Sequence, residues 1–136
     1  MKRSQRKPSI LVSSVNYGVE DLLEQIYAIL SGFGYRVWMS YKGTMPVKHG
    51  LTAFDNCLAA VKECDLFLGL ITGRYGSGKI KNSKSITHRE IELAVSLGKP
   101  RWFLCHMNVT IARELLKQFR FDEHGNPLAL AFKPTN

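Results

Sequence analysis

Three groups of side chains in this sequence could do chemistry. The first is Glu90, within SITHREIELAVSL (Ser85–Leu97). At about 100° per residue, Ile91, Leu93, Ala94, Val95 and Leu97 share one apolar arc of a helix, and Arg89, Glu92, Ser96 and Lys99 mark the opposite arc. Glu90 falls near the middle of the apolar arc, in the first turn. A carboxylate in that place faces a ligand, pairs with Arg74 or Arg89, or caps backbone amides. Facing a ligand, it is suited to cleaving a glycosidic bond. The transition state puts positive charge on the sugar, which one acid can stabilise or attack at the anomeric carbon.

The second group is Gly73-Arg74-Tyr75-Gly76-Ser77-Gly78-Lys79. It approaches the pattern of a triphosphate-binding loop, but Ile80 stands where the metal-binding hydroxyl belongs. Lys81, Asn82, Ser83 and Lys84 then delay the helix that should follow at once. A nucleoside triphosphatase is therefore rejected. A cationic loop able to close over an anionic ligand, or a plain solvated loop, remains. The third group is Ser13-Ser14, at the end of an apolar run. Small hydroxyls there can bond a phosphate or ribose beside the amides opening the next helix, or simply make a turn. The histidines His49, His88, His106 and His124 are scattered, with no cysteine or acid at metal-ligand spacing. No serine or cysteine sits in a nucleophile elbow.

Placing these groups requires alternating strands and helices. Ser9–Val15 (SILVSSV) reads as a first strand. A helix with Val19, Leu22, Leu23, Ile26, Ile29, Leu30 and Phe33 at helical spacing follows, with acids in its first turns. Tyr35–Tyr41 reads as a second strand, and Leu51–Cys64 as a second helix burying Leu51, Phe54, Leu58 and Val61. Leu66 opens an uninterrupted apolar strand, LFLGLI, suited to burial on both faces. Glu90's helix is next, then a strand at Arg101–Met107. A helix at Asn108–Phe119 follows, with Ile111, Leu115, Leu116 and Phe119 inward and Asn108 or Thr110 as cap. Leu128–Phe132 is a weak fifth strand or the start of a linker. This alternation predicts a three-layer α/β sandwich: a flavodoxin-like parallel sheet of four to five strands, order 2-1-3-4-5. Its crevice lies where the order reverses, between the first and third strands. Ser13, Ser14, the Arg74 loop and Glu90 all fall there.

Bulk properties narrow the class. The 136 residues are 45% hydrophobic and 22% charged, which fits one globular domain, 9–136, behind a basic arm, 1–8. The net charge of +8 permits nucleic acid, anionic lipid or a phosphorylated small molecule. Aromatic residues are not interleaved with the basic ones, so nucleic acid is the least favoured. Cys57, Cys64 and Cys105 lack a CxxC spacing, which argues against structural zinc or a disulfide framework. Neither a membrane span nor a signal core is evident, so the expected compartment is the cytoplasm.

The quoted segments also resemble a family. ILVSSV before an acidic helix, ECDLFLGLITGRYGSG, and SITHREIELAVSLGKP together look like the TIR-like bacterial domains of unknown function, over residues 9–105. TIR domains and nucleoside deoxyribosyltransferase-like proteins share that fold. In them, a glutamate opening the corresponding helix acts on N-glycosidic bonds of NAD or nucleosides. The resemblance implies Glu90 as the catalytic residue, with Ser13, Ser14, Arg74, Tyr75 and Gly76 binding the nucleotide. NAD is then substrate and no cofactor is required. It also implies self-association, a fused or separate sensor module, and a role in bacterial defence or signalling. Thr87-His88-Arg89 replaces the Trp-Cys pair that commonly precedes the glutamate in TIR enzymes. A non-catalytic module binding nucleotide or another such domain is the alternative.

Overall fold

The computed structural model describes residues 6–15, 18–72 and 85–127. Arg74, Tyr75 and Gly76, the rest of the loop at 73–84, the start of the basic arm and the fifth strand expected at 128–132 lie outside the described residues.

Four strands alternate with four helices: β1 (Ser9–Ser13), α1 (Glu20–Gly32), β2 (Arg36–Trp38), α2 (Ala53–Glu63), β3 (Leu66–Ile71), α3 (Ile86–Ser96), β4 (Arg101–Cys105) and α4 (Met107–Arg120). A short 3-10 turn at Ser40–Lys42 follows β2. The sheet order is β2-β1-β3-β4 and every pairing is parallel, as the alternation predicts. The order reverses beside β1, so the carboxyl ends of β1 and β3 lie side by side, with Ser13 opposite Gly69.

Burial follows the pleat. Ile10 and Val12 join Leu23, Val37, Met39, Leu68 and Leu70 in one cluster, under α1. Leu11 and Phe67 point the other way and join Ala60, Val61, Cys64 and Ala94, under α2 and α3. All five residues of β1 are buried, as a central strand covered on both faces must be. Asp65 fastens the opposite end of the sheet. Its Oδ2 accepts from the Ser9 backbone N–H at 2.7 Å and from Ser9 Oγ at 3.0 Å, and its own N–H donates to Ser9 Oγ at 3.0 Å. These bonds hold the Asp65 carboxyl below the usual carboxylate range.

Several expectations need correction. β2 is three residues long, because the chain turns into the 3-10 segment and Gly43 closes it in the left-handed region, at φ 67°. Leu51 precedes α2 instead of lying on its buried face, and it is exposed. Thr52 starts that helix by accepting from the Asp55 N–H. Leu22, Ile29 and Phe33 of α1, and Val95 and Leu97 of α3, are exposed. Each helix meets the sheet along a narrower stripe than its apolar arc. The largest difference is at α4: Ile111, Leu115, Leu116 and Phe119 are exposed, and the cap is His106. Periodicity identifies the side of a helix that favours cover. It does not place a neighbour there, and α4 has no extensive contact with another described element.

Candidate active site

The site is built on the first turn of α3. Ser85 is the cap, its Oγ accepting from the His88 N–H at 3.3 Å, so the helix begins with its axis fixed at the mouth of the sheet. The helical advance then turns Glu90 and Ala94 onto the same buried face, and both are buried. At Gly69, which pairs with Ser13 across the ladder, an added Cβ would fall 2.6 Å from the Phe103 ring.

Glu90 is 7% exposed. Its Oε1 accepts a hydrogen bond from Ser13 Oγ at 3.4 Å. Burial pushes the carboxyl up to about 7, with the Ser13 hydroxyl acting in the opposite, lowering direction. Cys57 of α2 lies close enough to feel the charge, and burial first and Glu90 second push its thiol up to about 11. Of the two cationic partners weighed from the sequence, Arg89 lies over the Phe54 ring at 5.1 Å, and Arg74 lies outside the described residues. His88 pairs with Glu92 at 3.2 Å on the polar side. Among the described residues, no buried side-chain oxygen or nitrogen lacks a hydrogen-bond partner. Among the described residues, the Ser13 hydroxyl is the side-chain group that bonds the Glu90 carboxyl.

All eleven carboxylate side chains of the sequence fall within the described residues. Glu90 alone is buried. Glu24 pairs with Lys42, Glu63 with Lys48, and Asp55 serves the Thr52 cap. Asp65 is engaged at the far end of β1. The structure thus brings together Glu90 and Ser13. Ser14, at the next position, turns its hydroxyl to the Val15 carbonyl at 2.8 Å. Ser13 is 2% exposed, and its hydroxyl is directed at the acid. Neither this pairing nor Cys57 as a neighbour of Glu90 is evident from the sequence. The available signal was that Ser13 and Glu90 are the polar interruptions of two buried apolar patterns. No group of three metal-ligating side chains occurs among the described residues. No described helix is long and apolar enough to cross a membrane.

A family model, "Domain of unknown function (DUF4062)", matches residues 9–130. The chain belongs to the DUF4062 family. No curated protein matches it. Among solved structures, this DUF4062 domain is similar to a 2-deoxyribosyltransferase from Bacillus psychrosaccharolyticus, with 18% identity and a TM-score of 0.53, over 89% of this chain and 99% of that one. It is similar to a 2-deoxyribosyltransferase from Leishmania mexicana at 11% identity and a TM-score of 0.52, over 90% and 79%. A CMP N-glycosidase from Clostridium botulinum aligns at 20% identity and a TM-score of 0.49, over 79% and 80%. The likeness is one of fold: the DUF4062 domain has the flavodoxin-like α/β architecture of the deoxyribosyltransferases.

Proposed function

We propose that this DUF4062 domain cleaves the N-glycosidic bond of a nucleotide, that the nucleotide is NAD, and that Glu90 is the catalytic residue. One observation carries the reading. Of eleven carboxylates, one is buried, on the first turn of the helix that follows β3, with one oxygen bonded by the hydroxyl that ends β1. The two deoxyribosyltransferases that share the fold support N-glycosidic chemistry in general.

The count of carboxyls bears on the leaving group. Glycosidases ordinarily pair two acids, one of which protonates the departing atom. Here no second carboxyl is buried beside Glu90. A nicotinamide riboside needs none. Its ring nitrogen is already cationic, and the electron pair of the breaking C1′–N bond neutralises it, so nicotinamide leaves as a neutral base. Ionised Glu90 stabilises the ribosyl cation, water adds to C1′, and the proton of that water is released. Ser14, Arg74, Tyr75 and Gly76 line the nucleotide, with Arg74 on the pyrophosphate. Activation by self-association, coupling to a sensor module and a role in bacterial defence complete the proposal, following the TIR-like resemblance.

The test is nicotinamide release from NAD by the wild-type chain and by Glu90→Gln, with CMP and a 2′-deoxynucleoside in parallel. The expected result is release from NAD by the wild type, cut by at least about a hundredfold in the variant. Equal rates would remove Glu90 from the chemistry. Cleavage of CMP but not NAD would overturn the substrate.

A further inference from the structure

Beyond the identity of the acid, the geometry points to a positioning residue: Ser13 holds Glu90 Oε1, so that Oε2 is the oxygen presented to the anomeric carbon. This rests on the reading of Glu90 above. Ser13 ends β1, the central strand, and is 2% exposed, so its side chain cannot swing out to meet a solute. Its Oγ donates to Glu90 Oε1 at 3.4 Å, across a sequence separation of 77 residues. Leu11 faces α2 and α3, and the pleat turns Ser13 to that same face. The acid is thus referenced to the sheet, the most rigid part of the fold. This leaves Oε2 as the oxygen Ser13 does not hold.

Two described elements make extensive contact with α3: β1 and α2. From β1, the group facing Glu90 is the Ser13 hydroxyl. From α2 it is Cys57, a neutral thiol at physiological pH. Asp55 of α2 is exposed and engaged with Thr52, and Arg89 is turned to Phe54. No described cation competes with Ser13 for the carboxylate. At 3.4 Å the bond is long. Bonds to ionised acceptors are shorter and stronger, so it tightens when Glu90 loses its proton.

The experiment titrates Glu90 directly, by carbon NMR of glutamate side-chain carboxyls in the full chain, with Glu90→Gln to assign the signal. Ser13→Ala is expected to raise the Glu90 midpoint by about one pH unit, since a donor to the charged form is lost. Ser13→Cys, nearly isosteric with a weak donor, is expected to fall between. A midpoint unchanged in both variants would overturn the proposal, whatever the enzyme assay shows. If NAD is cleaved, Ser13→Ala is expected to lower kcat with KM held. Loss confined to KM would place Ser13 in nucleotide binding and also overturn it. Absence of NAD cleavage alongside a shifted midpoint would refute the function proposed above while leaving the pairing intact.

Discussion

Replacing Glu90 by Gln is expected to stabilise the fold, increasingly so as pH rises. The carboxyl's ordinary value of 4.5 is carried to about 7 by burial. Below about 4.5 it is neutral in both folded and unfolded chains and contributes no difference. Between the two values the folded chain holds a proton the unfolded chain has lost, so stability falls as pH rises. Above about 7 the folded protein must keep a buried charge. At about 1.4 kcal/mol per pH unit, that costs about 3 kcal/mol. Gln keeps the shape and can still accept from Ser13 without carrying charge. For a domain of this size, about 3 kcal/mol corresponds to roughly 10 °C in Tm. The assay is thermal unfolding of both proteins from pH 5 to 8.5 in matched buffers. The two should nearly coincide at pH 5 and separate to roughly 10 °C at pH 8.5, Gln above. A constant offset across that range would mean that Glu90 is not held in a charge-hostile site. Its proposed catalytic role would then be refuted.

Three further outcomes follow from the same structure. If Glu90 works ionised, kcat for nicotinamide release should rise with pH through about 7 and level off above it; a rate falling across that range would mean the acid acts in its protonated form. Gly69→Ala should cost about 1–3 kcal/mol in urea denaturation, because its Cβ would stand 2.6 Å from the Phe103 ring; an unchanged midpoint would show that the half-exposed ring simply swings aside. Asp65→Asn should flatten the acid limb of stability: the folded carboxylate is held below its ordinary value by the Ser9 N–H, so it stabilises at neutral pH and this is lost as pH falls through the carboxylate range. An acid limb identical to that of the wild type would show that the Ser9 contacts contribute nothing to stability.

The architecture was legible because strand burial writes itself into composition. LFLGLI and SILVS carry no charged residue, and only a strand covered on both faces accepts that. Topology followed from the alternation of elements, since a right-handed crossover leaves few ways to join parallel strands. The position of Glu90 was legible for the same reason: one carboxylate broke a helical pattern that was otherwise consistent. What the pattern could not supply was its partner. Hydrophobic periodicity fixes a direction about one helix axis, whereas the Ser13–Glu90 pair depends on two elements 77 residues apart meeting across a sheet. A serine at the end of a strand looks alike whether it turns to a ligand or to an acid. α4 shows the converse failure. Its spacing put Ile111, Leu115, Leu116 and Phe119 inward, yet all four are exposed. Amphipathicity states a demand for burial, and what meets the demand is a property of the surroundings. Glu90 is informative because it runs against its own pattern. Burial of an acid costs stability at neutral pH, and under the proposed function that cost sets a charge where positive charge on a sugar would form.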